Sequence, residues 1–166
     1  MTKSIPIQFN SIGVIHTPYI EKAPYQPVKN DEQQFSIVVD PEFMQGLHEL
    51  DRFNYIIVLY HIHLLNKKTE MSVMPPWSNG KKVGLFASRS PVRPNPIGLS
   101  IVRIKKIEKN IIFTSGLDVF DNTPLLDIKP YIKDLDSKQD SNNGWLEDLE
   151  DKEHLWLHIM GIPHKY

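Results

Sequence analysis

The chain has 166 residues with 19 Lys+Arg against 20 Asp+Glu, a formal charge of −1, 13 Pro, 8 Gly and no Cys. That length fits one domain with its own core, with room for an appended arm, and 40% hydrophobic with 23% charged residues excludes a disordered or fibrous chain. The lack of cysteine excludes disulfides, a thiol nucleophile and thiolate-bound zinc.

The longest apolar run, Tyr55 to Tyr60, is far shorter than the ~20 residues of a membrane span, so no membrane association is expected. The opening Met-Thr-Lys-Ser-Ile-Pro lacks the basic-then-apolar layout of a signal peptide, which makes the cytoplasm the default location. The near-zero charge hides a segregation. From Lys81 to Lys106 stand Lys81, Lys82, Arg89, Arg93, Arg103, Lys105 and Lys106 with no acid among them. From Asp134 to Glu153 stand Asp134, Asp136, Asp140, Glu147, Asp148, Glu150, Asp151 and Glu153 against Lys138 and Lys152. Such blocks are commonly solvated faces, but the basic one also suits an anionic partner.

In chain order, Phe9 to His16 is a short apolar stretch stopped by Thr17-Pro18, and Pro24 and Pro27 hold the following loop extended. Phe35 to Val39 is β-branched and aromatic and reads as a strand. Asp40-Pro41-Glu42 offers an N-cap, a first-turn proline and an early acid, which predicts a helix from Pro41 to about Leu50. Asn54 to Leu65 does not alternate cleanly and reads as a strand buried on both faces, followed by a polar, proline-bearing loop over 66–80. Further strands are predicted at Val83 to Ala87, Gly98 to Ile107, Ile111 to Leu117 and around Leu125 to Ile128, with a hairpin turn at Lys109-Asn110. Asp134 to Asn143 is polar linker, and His154 to Gly161 reads as an amphipathic packing arm. This order predicts a mainly β fold, a small closed or nearly closed β-barrel with one or two short helices and a C-terminal arm. The absence of Gly-x-Gly-x-x-Gly and of strand–helix alternation argues against a Rossmann nucleotide site.

The chemistry concentrates in two segments. In Gly84 to Ser100, Pro91, Pro94 and Pro96 make a rigid connection from which Arg89 and Arg93 project, and a guanidinium fork binds carboxylate or phosphate in a fixed plane. A proline-stiffened crossover with surface arginines is the alternative. In Ser115 to Tyr131, Asp118, Asp121 and Asp127 surround a turn, with Lys129 and Tyr131 after it, but the spacing is not that of a calcium loop. Turn-capping explains Asp121 equally well. The pairs His61/His63 and His154/His158 have no third ligand fixed by the sequence, so no metal is expected. No Gly-x-Ser-x-Gly elbow supports a serine hydrolase.

Phe86-Ala87-Ser88-Arg89-Ser90-Pro91-Val92-Arg93-Pro94-Asn95-Pro96-Ile97-Gly98-Leu99-Ser100 closely resembles the signature of the TsaA-like family. Ile12 to Tyr19, Leu50 to Tyr55, Leu117-Asp118 through Tyr131, and Asp136-Ser137 with Gly144-Trp145-Leu146 extend the resemblance along nearly the whole chain. Where the family reads Pro-Arg-Gln this chain has Pro24-Tyr25-Gln26, and its Asp-Gly-Thr-Pro turn is Asp121-Asn122-Thr123-Pro124 here. Characterised members are S-adenosylmethionine-dependent methyltransferases that act on N6-threonylcarbamoyladenosine next to the tRNA anticodon.

The resemblance implies a small β-barrel domain over 1–133, an acidic linker and packing arm over 134–166, and a homodimer with the donor near the subunit boundary. It implies a donor site of Pro27, Val28, His63, Leu64, Arg89, Leu99, Ser115, Gly116, Leu117 and Asp118, with Arg89 toward the donor carboxylate. Asp127, Lys129 and Tyr131 are the candidates for substrate orientation or proton handling, although Lys129 beside a carboxylate also fits a plain ion pair. Lys81, Lys82, Arg93 and Asn95 are the candidates for contact with tRNA. Two other readings remain at this point: the same fold methylating a small metabolite, or a non-catalytic module that binds donor or RNA.

Overall fold

A computed structural model describes residues 5–28, 32–65, 67–160 and 162. Residue 66 of the expected loop, and residues 161 and 163–166 of the expected arm, lie outside this set.

The chain is mainly β. Six antiparallel strands form one sheet: β1 (Gly13–His16), β2 (Phe35–Val39), β3 (Tyr55–His61), β6 (Ile97–Glu108), β7 (Ile111–Thr114) and β8 (Thr123–Pro130). Their order is β1-β2-β7-β6-β3-β8, and β8 pairs back onto β1 through Gly13↔Leu125 and Ile15↔Thr123, so the cycle of pairings closes. β4 (Ser72–Val73) and β5 (Val83–Gly84) form a separate two-stranded ribbon.

Residues alternate across each strand, and the inward set fills the interior. Ile15, Phe35, Ile37, Val39, Ile56, Val58, Tyr60, Val102, Ile112 and Leu125 are all buried in one cluster. β3 therefore alternates after all: Ile56, Val58 and Tyr60 point in, whereas Tyr55 and His61 are exposed and Ile57 and Leu59 only half-buried. The apolar outer positions hid this periodicity in the sequence. A bulge at Leu59/Tyr60 shifts the register against β8, so that Leu59 faces Asp127 but Tyr60 faces Leu125.

The Lys109-Asn110 hairpin forms where expected, with Lys109 at φ 55° and the Asn110 side-chain amide donating to the Val39 carbonyl at 2.7 Å. Asn122, at φ 62°, sits in the left-handed region that asparagine tolerates better than most residues, which accounts for its standing in a turn where glycine serves elsewhere. Asp121 is a structural cap. Its Oδ1 lies 3.0 Å from His16 Nδ1 and accepts the Thr17 N–H at 3.1 Å. Partial burial acts to raise this carboxyl's pKa, but those two hydrogen bonds and one from Asn122 outweigh it and hold the group below the ordinary carboxylate range.

Several expectations are corrected. Pro41–Leu47 is a 3-10 helix rather than an α-helix: Asp40 makes no side-chain cap bond and no residue of the segment is buried, so no apolar face draws it into a longer helix. The 83–87 strand stops at Gly84 and turns into the 3-10 segment Leu85–Ala87, and the 111–117 strand stops at Thr114. The 66–80 loop contains β4 and a 3-10 turn, Pro76–Ser78. The polar linker begins with a one-turn helix, α1 (Lys133–Asp136). The arm holds α2 (Glu153–Met160), whose His158 ring meets Tyr25 at 5.4 Å and Trp77 at 5.6 Å. No helix among the described residues is long and apolar enough to cross a membrane.

Gly98 faces Tyr60 across β3 and β6, and a Cβ there would stand 2.0 Å from the Tyr60 ring. Gly98→Ala is expected to destabilise the fold by about 1–3 kcal/mol, because the buried ring has to shift. Urea unfolding checks this, and an unchanged midpoint contradicts the packing account. The lowered Asp121 carboxyl contributes stability that is present above its unfolded value and is lost as pH falls through its folded value. Asp121→Asn is therefore expected to flatten the acid limb of the stability-versus-pH curve; an acid limb identical to wild type rules out that contribution.

Candidate donor and substrate site

The end of β3, the start of β6 and the segment after β7 meet at one end of the sheet. Because position 98 is bare, the Tyr60 ring lies against the β6 backbone and its hydroxyl reaches Ser100 Oγ at 3.1 Å. Ser100 Oγ in turn donates to Asp118 Oδ1 at 3.5 Å. Burial, and then the nearby Asp118 carboxylate, push the Tyr60 hydroxyl up to about 12, so it stays protonated. Burial also raises the Asp118 carboxyl, while its own backbone N–H, Ser100 and the Arg89 guanidinium oppose that rise. Arg89 is exposed and acts electrostatically on both groups, and no hydrogen bond or ion pair engages it among the described residues.

The loop that carries Arg89 is tied down by its other arginine. Arg93 does not project freely, as the sequence suggested. Its Nη1 turns back to donate to the Ser88 and Ser90 carbonyls at 3.0 and 3.4 Å, which leaves the side chain half-buried. Asn95 is exposed, and its carbonyl accepts the Ile97 N–H at 2.8 Å where β6 begins. Ile62 N–H bonds the Pro96 carbonyl at 2.8 Å and so brings the His61–Leu64 segment beside the loop. Partial burial, and then the neighbouring His61, lower the His63 pKa, so its imidazole is readily kept neutral. Leu64 is exposed.

Within the 115–118 run, Ser115 is already committed. Its N–H donates to the Arg103 carbonyl at 2.9 Å and its Oγ accepts the Arg103 N–H at 3.0 Å. Gly116 and Leu117 are buried, and no backbone–backbone hydrogen bond among the described residues engages either one. Pro27 is exposed and Val28 half-buried on the loop between β1 and β2, with no hydrogen bond or ion pair from either to the Arg89 group among the described residues. On the same loop the Gln26 side-chain nitrogen is buried with no hydrogen-bond partner among the described residues.

Asp127, Lys129 and Tyr131 lie apart from this cluster. Asp127 and Leu99 flank Leu59 on the outer face of the sheet, and Lys129 and Ile101 flank Ile57 one step further along. Lys129 pairs with Asp127 at 2.6 Å, and Asp127 Oδ1 also accepts the Ile128 N–H at 2.9 Å. Tyr131 stands at the far end against Tyr55, ring to ring at 6.4 Å, where Arg103 covers Tyr55 at 4.6 Å and bonds its hydroxyl at 2.9 Å. Four residues of strand, about 13 Å, separate Asp127 from Tyr131, so the three do not form one catalytic group.

Of the two lysines expected to contact RNA, Lys82 is exposed, whereas Lys81 pairs with Asp148 at 3.2 Å and lies 6.0 Å from the Trp145 ring. Tyr60 and Ser100 were missed by sequence reasoning. The available signal was Gly98, since glycine inside a strand marks close approach of another group.

Residues 14–137 match the family described as "tRNA-methyltransferase O N-terminal domain". The chain is 38% identical over 149 residues to a Pyrococcus abyssi protein named "Probable S-adenosyl-L-methionine-binding protein", covering 89% of this chain and 80% of that one. It is 33% identical over 150 residues to the Escherichia coli protein named "tRNA (adenine(37)-N6)-methyltransferase", covering 84% of this chain and 64% of that one. The crystal structure of TrmO from Pseudomonas aeruginosa superposes with a TM-score of 0.69 at 30% identity, over 84% of this chain and 62% of that one. The chain thus spans under two thirds of the Escherichia coli and Pseudomonas proteins. A match over most of its length, joined to the same fold, places this chain in the tRNA-methyltransferase O N-terminal domain family.

Proposed function

We propose that the chain is an S-adenosylmethionine-dependent methyltransferase that N6-methylates threonylcarbamoyladenosine beside the tRNA anticodon, working in the cytoplasm. The observation that carries this reading is the convergence of Arg89, Asp118, Ser100 and Tyr60 at the sheet end, in a chain whose relatives are named for the same donor and the same base.

The residues suit the donor's chemistry. Arg89 offers a fork to its carboxylate, and Asp118 an acidic partner to its positive charges. Gly116 and Leu117 offer backbone groups, and the buried Gln26 amide a side-chain donor. Leu64 and Leu99 are exposed apolar surfaces suited to a flat ring. When bound, S-adenosylmethionine supplies an activated methyl group on sulfur. The chain's own residues hold the accepting nitrogen in line and take up its proton. Asp127, fixed by Ile128 N–H and by Lys129, is the carboxylate for that orientation or proton uptake.

The fold we infer is a small closed barrel over 1–133 with an arm over 134–166, assembled as a homodimer. Leu99 is 52% exposed and Ile101 51% exposed on the outer face beside Asp127 and Lys129. Adjacent exposed apolar side chains of this kind mark an interaction surface. Leu99 and Ser100 point to opposite faces, so one subunit cannot turn both the outer-face residues and the Asp118 cluster toward one donor. Apposition of two copies brings the outer face of one to the sheet end of the other. The loop with Pro27 and Val28 and the His63 segment then complete the donor site near the boundary.

Incubated with tRNA that carries threonylcarbamoyladenosine and with methyl-labelled donor, the chain is expected to add one methyl to that nucleoside, read by mass spectrometry of digested tRNA. Donor binding without transfer would sink the substrate assignment. Arg89→Ala is expected to weaken donor binding by about 1.5–3 kcal/mol, seen by calorimetry, and an unchanged affinity removes Arg89 from the site. Ile101→Asp is expected to shift the sedimentation coefficient from dimer to monomer and to abolish transfer; a variant still dimeric contradicts the interface.

A further inference from the structure

The arginine–proline loop begins with a side chain that neither the core nor the donor cluster uses. Phe86 occupies the middle of the turn Leu85–Ala87 and is 73% exposed, while its neighbour Leu85 is buried. A lone exposed apolar residue is ordinary. Phe86 differs in how firmly it is held. The Leu85 N–H donates to the Met71 carbonyl at 2.9 Å, and the Ser88 N–H and Oγ both donate to the Leu85 carbonyl, at 3.1 and 2.8 Å. The Trp145 indole N–H donates to the Ala87 carbonyl at 2.8 Å. The Arg93 guanidinium stands 5.5 Å from the Phe86 ring centre while it grips the Ser88 and Ser90 carbonyls. The ring is therefore presented to solvent from a turn pinned on both flanks, which lowers the entropy lost when a ligand settles on it.

The surroundings define the ligand. Segment 67–93 carries Lys67, Lys68, Lys81, Lys82, Arg89 and Arg93 against one acid, Glu70. A flat apolar ring in a cationic setting suits a flat, uncharged group attached to a polyanion, which is a nucleobase on its phosphate chain. Arg89, three residues along the same loop, belongs to the donor cluster, so a base on Phe86 lies next to the base being modified. We propose that Phe86 is a stacking platform for an unpaired base of the tRNA loop that flanks the methylated adenosine. Arg93 fixes the ring from one side and leaves the other to the base. This inference rests on the tRNA reading above and adds the contact that selects a single-stranded loop.

The test uses the full chain with Phe86→Ala and Phe86→Trp, and reads affinity for tRNA bearing threonylcarbamoyladenosine, donor affinity and sedimentation. Phe86→Ala is expected to weaken tRNA binding about 10- to 100-fold, and Phe86→Trp to bind within about threefold of wild type. Donor affinity and sedimentation stay at wild-type values, and the slope of tRNA affinity against salt is unchanged because no phosphate contact is lost. Wild-type tRNA affinity in the alanine variant overturns the proposal, as does a tryptophan variant as weak as the alanine one. A monomeric Phe86→Ala against a dimeric wild type also overturns it, by assigning the ring to the subunit contact. Wild-type protein that binds donor but neither binds nor methylates the tRNA overturns the tRNA reading and this proposal together.

Discussion

The contact between the Tyr60 ring and the bare backbone at Gly98 is the constraint on which the site depends. A side chain at position 98 would occupy the space of the ring, so the seating of Tyr60 against β6 depends on glycine there. Seated in that gap, Tyr60 directs its hydroxyl along the inner face to Ser100, and Ser100 directs its own toward Asp118. Close packing is thereby converted into electrostatic orientation: a tyrosine that stays protonated fixes a hydroxyl, which fixes a half-buried carboxyl. Position 98 is also the second residue of β6, immediately after the proline loop. The same contact sets the place from which Arg89 is displayed.

The two arginines of that loop divide the work. Arg93 spends its guanidinium on the loop's own carbonyls, and Arg89 is left facing outward near Asp118. Prolines alone restrict φ but cannot supply donors to the loop carbonyls, so an internal cation completes what they begin. The result is a rigid rim that displays one cation and one exposed ring without first ordering itself.

Much of the sheet was legible because its signals are local. The Phe35–Val39 strand, the Lys109-Asn110 hairpin and the rigid arginine–proline connection each rest on residue types that act within a few positions. The 3-10 segment at Pro41–Leu47 was not legible, since Asp40 and Pro41 resemble a helix start and only the missing tertiary face shows that no α-helix follows. The site was half legible. Arg89 and Asp118 stand in recognisable motifs, but Tyr60 lies inside an apolar run where a tyrosine reads as core. The division between Asp127 and Asp118 was invisible, because it depends on strand parity and on a bulge at Leu59/Tyr60 that no residue type announces.

The charge segregation acquires a physical meaning once the two blocks are seen to touch. Asp148 meets Lys81, and Trp145 lies under the same lysine while anchoring to Ala87 at the foot of the arginine loop. An exposed pair of this kind contributes little stability, so its local effect is to offset one positive charge beside the loop. Phosphate contacts add affinity steeply but without regard to sequence. On the proposed tRNA reading, pairing Lys81 with Asp148 would lower that indiscriminate term and leave more of the recognition to groups that sense a base. On the tRNA reading proposed above, a chain of near-zero net charge would draw selectivity from its acids as well as from its arginines.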